Sequence, residues 1–386
     1  MNSGSTAACR KPTVIMPGSA YSPLPRREDF HPSHDAPRLR LGLRPALLIA
    51  LCGGVIGAFL LVLAFGSVEI PLDQIITVLF GGEAERASWG NIILKVRLPK
   101  ALTALLAGAA LGAGGLMMQT FFRNPLADPF VLGISSGASL GVALVVLSVG
   151  TAGGALLAGF GLAGDFALAG AAALGAALTL GLVIAVAGRF QNPLMLLVLG
   201  LMCGYLVSAF VSLLLYNAIP ERIQAYTNWT FGSFGSTTLD QIPVMAVPIL
   251  AGLTAALMLI KALNALLLGE AYARSLGMNL RVIRAGVLLS TALLAGAVTA
   301  FCGPIAFIGV AVPHVCRALF HTSDHRLLMP ATILLGGIVA MIAALIAETP
   351  GSTNTLPLNA VTALLGAPVV IAVIIRQGNL QRSFTS

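Results

Sequence analysis

Apolar residues run along this chain in long blocks separated by short polar breaks. Ten such segments recur: Pro45–Phe65, Leu98–Thr120, Phe130–Gly150, Asp165–Gly188, Pro193–Tyr216, Ile242–Ile260, Arg284–Cys302, Ile305–Phe320, Leu327–Ala347 and Leu358–Ile375. A helix needs about 20 apolar residues to cross a bilayer, and the first block is long enough to do so. The stretch from Thr151 to Gly188 is too long for one span, so Asp165 marks where an outer part ends and a span begins. The pattern predicts an all-α integral membrane protein of about ten transmembrane helices over residues 45–376. Before it lies a polar tail (1–44) rich in Pro, Ser, Arg and His, which predicts disorder. That tail has no apolar run directly after its early charges, so a cleaved signal peptide is not expected. A short tail (377–386) follows the last segment.

Composition agrees. The 386 residues are 57% apolar and only 9% charged, whereas soluble domains carry about 25% charged residues. Lipid is therefore the expected solvent. The net charge of +8 comes from basic residues dispersed between apolar segments, which excludes a nucleic-acid surface and reports orientation instead. With the N-terminal tail inside, the inner loops hold Arg123, Arg189, Lys261, Arg274, Arg281, Arg284, Arg317 and Arg326, and the C-terminal tail holds Arg376 and Arg382. The outer loops mix Arg86, Lys95, Arg97, Lys100 and Arg222 with Glu69, Asp73, Glu83, Glu85, Glu221 and Glu348. This bias fits an even number of spans with both termini cytoplasmic; eight or twelve spans fit it as well.

Gly and Ala dominate the spans, as in ALLAGAALGAGG (104–115). Small residues let helix backbones approach closely in lipid, so a tightly packed bundle is expected. ALLAGA returns at 292–297, and the onward spacing pairs Gly115 with Gly303 and Pro125 with Pro313. Two readings stand: an inverted repeat, common in transporters, or coincidence in a chain this rich in Ala, Leu and Gly.

No Asp, Glu, Lys or Arg falls near the middle of any segment. Ion-coupled transporters usually keep such groups there, so a secondary transporter is the weaker alternative. His314, His321 and His325 share a helical spacing that could hold a metal, but Pro313 and the polar run after Phe320 point to a helix end and a loop. No metal site, cofactor or catalytic residue is expected. The five cysteines are scattered and read as small buried hydrophobes. There is no GxxxxGK[ST] loop, so any ATP that drives the chain must be hydrolysed on another one.

One stretch, FFRNPLADPFVLGISSGASLG (121–141), interrupts the apolar pattern. Locally it reads as a rigid inner turn. Pro125 and Pro129 end and restart helices because each lacks a backbone donor. Asn124 offers a side chain to unpaired backbone groups. Arg123 anchors the turn on the cytoplasmic side.

The longer string RLPKALTALLAGAALGAGGLMMQTFFRNPLADPFVLGISSGASLG (97–141) resembles the signature of the iron-chelate, heme and vitamin B12 permeases of ATP-binding-cassette importers. NWTFGSFG (228–235), LGEAYARSLGMNLRVIR (268–284), CGPIAFIGVAVPHVCRALFHTSDHRLLMP (302–330) and LPLNAVTALLGAP (356–368) match that family in order. The resemblance implies ten spans with both ends cytoplasmic and no covalent chemistry. It implies a multi-pass bacterial inner-membrane permease, paired with a second permease copy as a homodimer. The implied partners are a separate ATPase subunit and an extracytoplasmic substrate-binding protein. The cargo it implies is a metal chelate, with ferric siderophore or heme first and cobalamin next.

The same resemblance assigns residues. Gly269, Glu270, Ala273, Arg274, Leu276 and Gly277 match the coupling loop that contacts the ATPase. Glu270 and Arg274, at i and i+4, are expected to pair with each other on that short helix. Arg97 and Lys100 match two basic positions that pair with acids on the binding protein; read alone, they are also ordinary snorkelling anchors. Arg123, Asn124, Pro125 and Pro129 form the inner-turn motif, and Pro313, His314 and Arg317 an inner-surface motif. The chain departs from the family in AETPGSTNTLPL (347–358): Glu348 stands where the family has Asp, an Arg is missing, and Thr355 replaces a Glu.

Overall fold

A computed structural model of the protein describes residues 43–66, 68–147, 165–187, 193–348 and 355–383. The expected N-terminal tail lies almost wholly outside the described residues, as do Arg189 and the end of the third segment. The regular structure among the described residues is helical, with a single isolated bridge between Glu348 and Thr355.

The helices are α1 (Leu43–Ala64), α2 (Leu72–Leu79), α3 (Ala87–Ile92), a π-helical turn (Ile93–Arg97), α4 (Leu98–Phe122), a 3-10 turn (Pro129–Leu132), α5 (Ile134–Val146), α6 (Asp165–Ala187) and α7 (Pro193–Tyr216). They continue with α8 (Pro220–Thr230), α9 (Ile242–Met258), α10 (Ile260–Leu268), α11 (Glu270–Ser275), α12 (Leu280–Cys302), α13 (Ile308–Phe320), α14 (His325–Ala347) and α15 (Leu358–Ser383). Six of these runs are long and apolar enough to cross a membrane, and the pair α9–α10, bent by 52°, makes a seventh. Three more are apolar but shorter.

Two of these have local causes. The third segment is broken at Gly133, whose φ of +76° separates the 3-10 turn from α5. The eighth starts only at Ile308, because Phe307 adopts a left-handed φ of +71°. Pro313 does not end that helix, as the sequence suggested; it lies inside α13, which runs on to Phe320. Proline removes the donor that would meet the Gly309 carbonyl. That carbonyl packs on Gly115 of α4, where a side chain would collide with it.

α4 is the centre of the bundle, buried along most of its length. Its glycines do what the small-residue pattern predicts: Gly108 faces Gly336 and Gly112 faces the Thr332 carbonyl, both on α14. Gly137 and Gly141 of α5 meet Gly175 and Ala171 of α6 in the same way. Contact at this range lets backbones pack without a hydrophobic driving force.

The packing repeats. α4 packs on α14 as α12 packs on α6, and α5 packs on α6 and α7 as α13 packs on α14 and α15. What recurs is this set of packing partners. The positional echo does not carry it, because Gly115 lies inside α4 while Gly303 caps α12 with φ +74°, and Pro125 lies in a turn while Pro313 lies inside a helix.

Candidate functional site: the two ends of α4

α4 has 25 residues, about 37 Å at 1.5 Å per residue. Its two ends carry separate polar clusters.

At the N-terminal end, Arg97 is buried. Its guanidinium donates to the carbonyls of Leu63 (2.7 Å) and Ala64 (2.8 Å) and to that of Val68. Leu63 and Ala64 end α1 and Val68 lies beyond it, and the last carbonyls of a helix have no intrahelical partner. Arg97 thus acts as a cap supplied from elsewhere in the chain. Lys100, one turn on, is also buried and pairs with Glu348 at 2.5 Å. Both Arg97 and Lys100 are thus engaged within the chain.

Lys100 and Glu348 line a cavity of about 650 Å³, together with Asn228, Phe231, Phe234 and Pro357. The NWTFGSFG stretch forms much of its wall. Asn359 fixes that wall: its Nδ2 donates to the carbonyls of Thr230 (2.9 Å) and Pro304 (2.6 Å), and its Oδ1 accepts from the Ala306 amide (3.0 Å). Sequence reading missed Asn359, although it sits inside the quoted LPLNAVTALLGAP motif.

At the C-terminal end, Arg123 takes a left-handed φ of +48° and closes α4, with its side chain exposed. Asn124 behaves as expected, accepting the Leu126 amide at 3.0 Å. Pro125 offers its carbonyl to His314 Nε2 (2.7 Å), which donates. Asp128 accepts the Phe130 amide (2.9 Å), and Pro129 packs against Gly114 and Gly309. Desolvation pushes the Asp128 carboxyl up to about 6. Arg317 donates to Gln119 (2.6 Å), and Gln119 donates to the Val310 carbonyl (3.2 Å). The inner-turn and inner-surface motifs therefore lie side by side.

The three histidines do not converge. His314 holds Pro125, while His325 bonds Asn264 and Thr120. No group of three metal-ligating side chains occurs among the described residues.

Next to this cluster, α10 ends at Gly269 (φ +122°), α11 follows at once, and Gly277 (φ +77°) turns the chain toward α12. Both glycines have conformations that side chains resist. Ala273 is the buried residue of α11, while Tyr272, Arg274 and Leu276 are exposed. The expected Glu270–Arg274 pair is replaced. Glu270 instead takes the Arg284 Nη2 on both oxygens, at 2.7 and 2.8 Å. A six-residue helix offers only one turn for an i, i+4 pair, and Arg284 on α12 reaches Glu270 from a fixed scaffold. The exchange leaves Arg274 pointing outward.

A helical bundle with six to seven candidate spans among the described residues, polar clusters at both ends of its central helix and an exposed one-turn helix has the make-up of a multi-pass membrane protein. The chain belongs to the FecCD transport family, which it matches over residues 54–376. It is 33% identical to the hemin transport system permease protein HmuU of Yersinia pestis, over 88% of this chain and 96% of that one. It is 36% identical to the vitamin B12 import system permease protein BtuC of Klebsiella pneumoniae, over 76% of this chain and 86% of that one. A solved ABC transporter, described as of metal-chelate type and inward-facing, superposes with a TM-score of 0.73 at 28% identity, covering 86% of this chain and 99% of its own.

Proposed function

We propose that this chain is the transmembrane subunit of an ATP-driven importer in a bacterial inner membrane. It carries a metal chelate from the extracytoplasmic side to the cytoplasm, with ferric siderophore or heme first and cobalamin next. It works as a homodimer of ten-span subunits with cytoplasmic termini. ATP is hydrolysed on a partner ATPase, and cargo arrives on a binding protein. The relatives named for hemin and vitamin B12 support the cargo class.

The observation that carries this reading is α11. It is held by Glu270–Arg284 and bounded by two positive-φ glycines, and it presents Tyr272, Arg274 and Leu276 outward. An apolar pair beside a cation suits a groove on a partner. The opposite end, with its cavity, faces the binding protein. An acidic group on that partner would compete with Glu348 for Lys100. Arg97 serves α1 instead of a partner in this reading, which narrows the docking role expected for the two cations to Lys100.

The test is uptake in proteoliposomes holding the chain, its ATPase and its binding protein. Uptake is expected to require ATP and to survive collapse of the ion gradient. Uptake driven by a gradient without ATP would instead establish the ion-coupled alternative.

A further inference from the structure

Asn264 sits on α10, five residues before the glycine that opens α11. Its Oδ1 accepts two hydrogen bonds from one residue of α14, the His325 backbone amide (2.9 Å) and ring Nδ1 (2.8 Å). Its Nδ2 donates to Asp324 Oδ1 (2.7 Å), and the same oxygen caps α14 by accepting the Arg326 amide (2.9 Å). Every hydrogen-bonding direction that the Asn264 carbonyl and one amide hydrogen offer is thus directed at the first turn of α14. The buried His325 ring continues the chain of contacts, because its Nε2 meets Thr120 Oγ1 on α4 at 2.8 Å. The neighbouring Gln119 ties α4 to α13 through Arg317 and the Val310 carbonyl.

On its other side, α10 is separated from α9 by the 52° break at Leu259. A bend this sharp keeps the two helices from forming one straight rod. So α10, with α11 behind it, turns away from α9 at Leu259, whose amide and carbonyl still bond Ala255 and Leu263, and packs on α14 and α4.

We infer that Asn264 and His325 are positioning residues that make α10–α11 move with α14 and α4, with Leu259 as the hinge against α9. This inference rests on the proposed function, since a transmitting clip needs an ATPase to drive it. The clip joins the exposed helix to the most heavily packed pair in the bundle, and through α4 and α14 it reaches Lys100 and Glu348 at the opposite end. Coupling of this kind requires a contiguous packed route with discrete arrangements, and the α4–α14 glycine contacts provide the packed part.

The test measures cargo moved per ATP hydrolysed in proteoliposomes holding the full complex. Hemin, a radio-iron hydroxamate chelate and cobalamin are the probes, and the one carried by the wild-type complex is kept. Asn264→Asp places a carboxylate against Asp324, and it is expected to lower the transport-to-ATP ratio about tenfold, within the usual range of coupling energies. The amount of assembled complex and its ATPase rate are expected to stay within about twofold. Asn264→Asp with Asp324→Asn restores one carboxylate and one amide in exchanged places, so the ratio is expected to recover. Thr120→Val, which breaks the link to α4 but not to α14, is expected to lower the ratio alone. An unchanged ratio in Asn264→Asp would overturn the inference. So would uptake and ATPase activity that fall together in proportion to lost complex, or a swap that fails to restore the ratio. If the wild-type chain assembles with no ATPase, the proposed function itself fails, and the clip has no motion to transmit.

Discussion

Lys100 on α4 and Glu348 at the end of α14 hold each other at 2.5 Å on the rim of the 650 Å³ cavity. The lysine side chain is 8% exposed and the glutamate 35%, so the pair lies between a surface ion pair and a buried one. Surface pairs contribute about 0–1 kcal/mol, and breaking a buried one costs about 3–5 kcal/mol. Lys100→Met is expected to lower stability by about 1–2 kcal/mol, and Lys100→Glu with Glu348→Lys to recover most of it. Thermal unfolding in detergent reads both.

Arg97 caps the end of α1 through the Leu63 and Ala64 carbonyls and also takes the Val68 carbonyl beyond it. Lysine cannot span them with a planar fork. Arg97→Lys is expected to raise hydrogen exchange over residues 60–70 while the α4–α14 contact stays protected. Uniform exchange across the bundle would show that Arg97 supports the whole fold.

The Asp128 carboxyl, raised to about 6 by burial, binds a proton more readily in the folded chain than in the unfolded one. The sign follows: this group favours the folded state at low pH, and that contribution is lost as pH rises from about 4 through about 6. Asp128→Asn is expected to remove this part of the pH dependence in unfolding experiments between pH 4 and 7.

Gly115 receives the Gly309 carbonyl, whereas Gly181 on α6 faces nothing within 4 Å. Gly115→Ala is expected to cost about 1–3 kcal/mol by overpacking. Gly181→Ala is expected to be neutral or stabilising by up to about 1 kcal/mol, because alanine favours a helix. Comparing the two melting temperatures separates packing from propensity.

Much of the bundle was legible because lipid leaves few solutions: apolar blocks must be helices, and small residues mark where they touch. The turn at 123–129 and the cap at Asn124 followed from proline and asparagine chemistry alone. The breaks at Gly133, Leu259 and Phe307 did not follow, because they depend on how neighbouring helices pack. Arg97 and Glu270 were seen as charges, but their partners, the carbonyls closing α1 and Arg284, come from other elements. Spacing along one helix pointed to Arg274 only because it was the nearest cation in sequence. Asn264 and Asn359 escaped notice as single polar residues within or beside apolar runs, and His325 was weighed only as a metal ligand. Their roles appear only when four helices meet.

We propose that α11 docks an ATPase through the face that Arg274, Tyr272 and Leu276 present. The most direct measurement is native mass spectrometry of the chain purified gently from its own host, wild type beside Arg274→Glu and Glu270→Gln. An ATPase subunit bound one to one with the wild type, lost in Arg274→Glu and weakened in Glu270→Gln through release of Arg284, is the predicted result. A chain that leaves the membrane without an ATPase, or one that keeps it in both variants, would contradict it.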